Sequence, residues 1–302
     1  MTTTVDTTVV DSPARWELLR ALGAVVLTPP PGSASLCEAL ELPVQTGVDH
    51  TDAFVLTAPP HAAIHLGPEG QLGGEGLDRV AGFWRALGLS APTDADHLGT
   101  LLMLYAELGE AERAADQQRT RTQVRTARAA LFHEHIDSWA PGYLAAVAGL
   151  GIASVAEWAV LTRQVLTAER VELGAPALLP LALRVAPAGL QPTDSFDETL
   201  DALVSPVRSG MILTHRDLLA GAARAGVGVR RGERRFALRA MLTQDPDATL
   251  GWLTEHALTW SEQHLSDRDT TTDTSTSSWW SARAAHTART LTELRRDTTD
   301  PR

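Results

Sequence analysis

The chain has 302 residues, 44% of them hydrophobic, enough apolar mass to bury a core, which excludes global disorder. Its formal net charge is −11, and Arg is its basic residue, with no Lys and no Asn anywhere, which argues against nucleic-acid binding and rules out a Lys-dependent phosphate loop or Schiff-base chemistry. The single Cys37 permits no internal disulfide, and no apolar run is long enough to span a membrane.

Residues 1–11 are Thr-rich, with no basic residue before Arg15, and read as a disordered leader rather than a secretory signal. A cytoplasmic protein is expected. Leu and Ala dominate the apolar content while β-branched runs are scarce, a bias that favours helices over strands. The first helix is expected from about Ser12, an N-cap with Pro13 at the first helical position. It carries Trp16, Leu19, Leu22 and Val26 on one face and ends at Pro29. A short helix should follow over 33–42.

Residues 43–74, with Pro59, Pro60, Gly67, Pro68, Gly73 and Gly74, read as the longest irregular stretch of the fold. Leu77, Val80, Ala81, Trp84 and Leu87 then repeat at helical spacing up to Gly88. The clearest pattern comes next: Asp94 or Asp96 caps a helix whose stripe is Leu98, Leu101, Leu102, Tyr105 and Leu108. A long helical stretch over 121–149, kinked or broken at Pro141, and another over 153–173 complete this half.

A Pro-rich connection over 176–195 leads to shorter helices at about 197–204, 214–225, 231–243 and 247–265. Residues 268–278 are low-complexity Asp, Thr and Ser, which cannot bury enough apolar surface to order themselves. A terminal amphipathic helix is expected over 279–296, with Trp279, Trp280 and Leu291. The expected architecture is an all-α helical bundle over 12–265, with 266–302 a flexible appended tail whose removal leaves a folded core.

Several chemistries can be weighed on these elements. His133 and His135 lie two apart on a helix and point to different sides, so they cannot share one ion, and the chain lacks the helical zinc spacing. His61 and His65 have no third ligand nearby, and no metal or cofactor is expected. The glycines over 67–76 follow no strand, so they are no dinucleotide fingerprint. Cys37, on an apolar helix face, reads as inert. No catalytic set emerges, so the protein is not expected to be an enzyme. Residues 213–242 leave one alternative open. A helix, a Gly-containing turn and a second helix rich in Arg230, Arg231, Arg234, Arg235 and Arg239 have the form of a helix-turn-helix DNA-binding regulator.

Two motifs are more specific. Pro92 to Leu98 reads Pro-Thr-Asp-Ala-Asp-His-Leu at the start of the best helix, and Phe132, His135, Trp139 and Pro141 follow in the next long one. With Trp16 and Leu19 near the N-terminus, this pattern resembles the TorD/DmsD family of chaperones for exported molybdenum enzymes. The resemblance covers residues 12–150 and, more loosely, 151–265. It implies an all-helical fold, as monomer or homodimer, that binds the twin-arginine signal peptide of a molybdopterin-dependent oxidoreductase precursor and assists cofactor insertion before export. It further implies that Asp94, Asp96, His97, Leu101, Tyr105, Trp84, His61, His65, Trp16, His135 and Trp139 contribute to peptide binding. Carboxylates ahead of an apolar stripe are a suitable receptor for two guanidiniums followed by an apolar helix.

Overall fold

Pro13, with its fixed φ and missing N–H, opens the first helix, and the Leu and Val spacing behind it supplies one continuous apolar face. The computed structural model describes residues 13–230, 232–266 and 275–299. Among these every regular element is helical. The 1–11 leader, Ser12, Arg231 and most of the 268–278 stretch lie outside the described residues.

Two compact units are present, where a single domain over 12–265 was expected. The first joins the described residues up to Ala62 to Glu75–Pro176. Its helices are α1 (Pro13–Leu27), α2 (Ala34–Ala39), α3 (Gly47–His50), the first residue of α4 (Ala62–Leu66), most of α5 (Gly74–Ala86), α6 (Leu98–Ala114), α7 (Gln118–Ala130), α8 (Ala140–Ala148) and α9 (Ala153–Leu173). The main pairing is α1 on α6. Their backbones meet at two glycines: a Cβ on Gly23 would stand 2.8 Å from the carbonyl oxygen of Gly99. Leu19, Leu22, Leu98, Leu101, Leu102 and Tyr105 are fully buried there, each aliphatic side chain contributing about 1.5–3 kcal/mol. Trp158 of α9 closes the core, its indole N–H donating to the carbonyl of Leu22 at 3.0 Å.

Residues 43–74 are more ordered than expected. They contain α3, a π-helical turn over Thr51–Thr57 and α4. A capping box between Thr46 and Asp49 starts the first of these, and Phe54 anchors the turn edge-on against Trp158 at 5.1 Å. Each segment is under two turns long, too short for its periodicity to stand out in the sequence. The 121–149 stretch is interrupted before Pro141: a π-helical turn over Leu131–Ile136 ends α7, and Pro141 sits in the first turn of α8.

The second unit joins Ala63–Gly74 to the described residues from Ala177 onward. It contains α10 (Leu181–Arg184), α11 (Phe196–Val204), α12 (Pro206–Ser209), α13 (His215–Ala225), α14 (Arg234–Gln244), α15 (Pro246–Ser266) and α16 (Ser275–Thr299). The terminal helix expected as an appendage is part of this core. In α16, Trp280, Ala284, Thr287, Ala288 and Leu291 form a buried stripe, and α15 is its main partner. The imidazole of His264 stacks on Trp280 with centroids 5.9 Å apart.

Candidate functional site

The turn ahead of α6 is built by two backbone hydrogen bonds that cross it. Ala62 N–H donates to Asp96 at 3.0 Å and Leu98 N–H to Pro60 at 2.8 Å, forming an isolated antiparallel bridge between His61 and His97. The side chains repeat the pairing. His61 Nδ1 donates to Asp96 Oδ1 at 3.2 Å, and the His61 and His97 rings stand edge to face at 4.9 Å.

The helix cap differs from expectation. Neither Asp94 nor Asp96 caps α6; His97 does, its Nδ1 accepting from Gly99 N–H at 3.0 Å. Asp96 is buried and turned toward His61, and Asp94 is exposed. An extended His97 places its ring over the first turn, so an imidazole nitrogen takes the capping role usual for a carboxylate. Because Nδ1 accepts, the ring proton sits on Nε2.

Burial, with the neighbouring His61 adding to it, pushes the His97 pKa down to about 4. Burial followed by the charge of Arg79 does the same to His135, also to about 4. Both histidines are therefore neutral at neutral pH. An unfolded chain titrates them near 6.5, so between about 6.5 and 4 the unfolded state binds more protons. The stability these groups supply is complete above pH 6.5 and is lost as pH falls through that window, on the order of 3 kcal/mol each at most. Thermal melts across pH 7.5 to 4.5 should thus show a falling midpoint. His97→Asn, which keeps an acceptor for Gly99 but does not titrate, should flatten the slope. An unchanged slope in that variant would remove His97 from the account.

The second motif is interior. Trp139 Nε1 donates to the carbonyl of His135 at 2.8 Å, Tyr143 Oη donates to the carbonyl of Ala58 at 3.1 Å, and Phe83 packs on His135 at 5.0 Å. Leu101 and Tyr105 are likewise fully buried, and Trp16 nearly so. The α6 stripe is thus covered by α1 and is not an open groove. The structure brings His61, Asp96 and His97 together, and it gathers Trp16 and Tyr105 at a different place. Trp84 is half-buried on α5, its indole N–H enclosed without an acceptor among the described residues. His65 falls in the second unit and is buried there.

Two features of the first unit were missed in the sequence. One is an outward apolar face: Val48, Val55 and Leu56 are 78%, 58% and 71% exposed along α3 and the π-helical turn, with Asp52 on the same stretch. The other is a buried ionic cluster. Glu169 of α9 accepts from Arg15, from Tyr105 Oη at 2.5 Å and from Arg128 at 3.4 Å. Arg128 also donates to Tyr105 Oη at 2.7 Å, Glu112 at 2.8 Å and Glu172 at 3.1 Å. Burial, then Glu169, raises the phenol pKa of Tyr105, which therefore stays protonated and donates. A signal was available: Val155, Trp158, Thr162, Val165 and Glu169 recur at helical spacing, which put a carboxylate on an apolar stripe.

Elsewhere the chemistry is sparse. Among the described residues no group of three or more His, Cys, Asp or Glu is placed to hold a metal ion, and no helix is long and apolar enough to cross a membrane. The basic helix of the DNA-binding alternative is α14, and its guanidiniums are engaged. Arg235 pairs with Asp197 at 2.7 Å and Asp201 at 2.5 Å, Arg239 pairs with Asp197, and Arg234 donates to the carbonyl of Leu213 at 3.0 Å. Carboxylates from α11 neutralise the face a duplex would need, which opposes that reading.

Residues 32–145 match a family described as nitrate reductase delta subunit. The matched stretch runs from the turn after α1 into α8, and so contains the His61, Asp96 and His97 node and the His135 and Trp139 motif. No curated protein matches the chain.

Proposed function

We propose that this protein, whose residues 32–145 match the family described as nitrate reductase delta subunit, is a molybdoenzyme chaperone that binds the twin-arginine signal peptide of a molybdoenzyme precursor in the cytoplasm. It holds the precursor there until its cofactor is inserted. The observation that carries the reading is the family match across the His61, Asp96 and His97 turn. Two physical features support it. Asp94 is a solvent-facing carboxylate at that turn, suited to a guanidinium, and Val48, Val55 and Leu56 offer the same unit an exposed apolar face suited to a signal's apolar segment.

The roles divide by burial. Asp94 makes the direct ionic contact with Trp84 beside the peptide, while His61, Asp96 and His97 hold the turn. Leu101, Tyr105, Trp16, His135 and Trp139 are buried in the core of the same unit and act on the peptide only by holding the fold.

The test is titration calorimetry of the full chain with a synthetic peptide carrying two adjacent arginines followed by an apolar helix. Asp94→Asn should weaken binding by about 1–3 kcal/mol, roughly 5- to 150-fold, without shifting the thermal midpoint. Replacing both peptide arginines by lysine should cost a comparable amount, since the bidentate geometry is lost. Equal affinity for both peptides, or an Asp94→Asn variant that binds like wild type, would overturn this assignment.

A further inference from the structure

One cleft in the first unit has the opposite electrical character. It encloses ≈ 550 Å³ and is lined by Arg15, Trp16, Gly109, Glu112, Arg113, Arg121, Arg125, Arg128 and Glu172, an excess of three positive charges in a chain of net charge −11. Its depth depends on Gly109, because a Cβ there would run into the ring of Trp16.

The inner and outer arginines differ. Arg15 and Arg128 are buried and engaged with Glu169 and Glu172, and their guanidinium carbons lie 4.7 Å and 5.3 Å from the centre of the Trp16 ring. The ring is thus occupied by the protein's own cations and nearly buried, so it offers no face for a stacked base. Two of the three rim arginines make no ion pair among the described residues. Arg113 is exposed and has no ion-pair partner among the described residues, and Arg121 donates only to the backbone carbonyl of Ala115 at 2.8 Å. Arg125, half-exposed, reaches Glu172 at 2.9 Å and Glu112 at 3.2 Å.

The spacing of these cations selects the ligand. Arg121 and Arg125 occupy successive turns on one face of α7, with the buried Arg128 continuing the row, so the two accessible cations form a ladder with rungs about 5–6 Å apart. A compact polyanion needs donors that converge on one point. An extended peptide instead projects alternate side chains to one side about 6.6–6.8 Å apart, close to the ladder's repeat. Glu112 and Glu172 already show the cleft's chemistry, since Glu112 accepts from two arginines and Glu172 from three.

We propose that this cleft binds an acidic, extended polypeptide segment through Arg113, Arg121 and Arg125. It is a second polypeptide site, of opposite charge preference to one that holds paired arginines, and it stands without that assignment.

The experiment uses the full chain and a fluorescently labelled octapeptide of alternating Asp and Ser, read by anisotropy. The peptide should bind, more weakly as salt is raised. Arg113→Gln with Arg121→Gln should weaken it by about tenfold or more, the loss of two charge-assisted contacts, with an unchanged melt because both side chains are exposed. Arg113→Glu with Arg121→Glu should reject it and accept an alternating Lys and Ser octapeptide. Inorganic pyrophosphate should compete only through ionic strength. No binding of the acidic peptide, unchanged binding by the Gln variant, or pyrophosphate binding tighter than the peptide would each overturn the proposal.

Discussion

Glu169→Ala is expected to destabilise the first unit by about 3–5 kcal/mol. Glu169 is 1% exposed and sits among Arg15, Tyr105 and Arg128. Removing its carboxylate leaves Arg15 and the 2%-exposed Arg128 with less compensation in a poorly hydrated site, and leaves a buried phenol without its acceptor. Glu112 and Glu172 continue to hold Arg128, so the unit should unfold earlier rather than fail to fold. Tyr105→Phe, which deletes one hydroxyl and keeps the charges, should cost about 1–2 kcal/mol. The half-exposed pair Arg20 and Glu110 is the control, and Arg20→Gln should cost at most about 1 kcal/mol. Urea unfolding, with midpoint and slope both measured, separates these cases. A Glu169→Ala loss no larger than the Arg20→Gln loss would mean that the cluster is solvated and not a buried network.

Truncation after Ser266 is the second large effect. The residues removed include α16, and with it the partners of α15 and of the loops before α11 and α13. Ser261 Oγ donates to the Ser281 carbonyl at 3.1 Å, Arg283 to that of Pro187 at 2.9 Å, and Arg295 reaches Asp247 at 2.6 Å. Burial is the larger part. Trp280, Ala284, Ala288 and Leu291 leave the core, and α15 loses its main packing partner. Total stability of a domain is only about 5–15 kcal/mol, so the second unit should lose its cooperative melt and expose α15 to protease. A full-length variant tests the same packing without deleting anything. Gly210 has φ +76°, and a Cβ there would lie 2.7 Å from the Arg283 carbonyl carbon and 2.8 Å from Ala284 Cα. Gly210→Ala should therefore destabilise the unit by about 2 kcal/mol or more, through strain and displacement of α16. If the truncated chain melts like the intact one and Gly210→Ala is silent, α16 is dispensable.

Much of this was legible in the sequence, and the legible part has a common cause. Helices as long as α1, α6, α9 and α15 repeat their apolar residues over three or more turns, so their existence and their buried faces follow from spacing alone. The Asp-His turn ahead of Leu98 and the His135 and Trp139 pair were likewise visible as motifs, and they fall within the stretch that matches the family. Composition settled the absence of Lys chemistry without reference to the fold.

Tertiary structure decided the rest, because it depends on which faces meet. Whether Leu98, Leu101 and Tyr105 line a groove or a core is a question about α1, whose glycine at 23 lets the two backbones close over them. That His97 and not an aspartate caps α6 depends on the backbone bridge to His61, thirty-six positions away in number but adjacent in space. The role of the terminal helix turned on whether α15 had a stripe to receive it, and the arginines of α14 turned on the carboxylates of α11. Sequence fixes which residues are apolar and how often they recur; ion pairs and caps between distant segments require the chain to have folded, since their partners share no local periodicity.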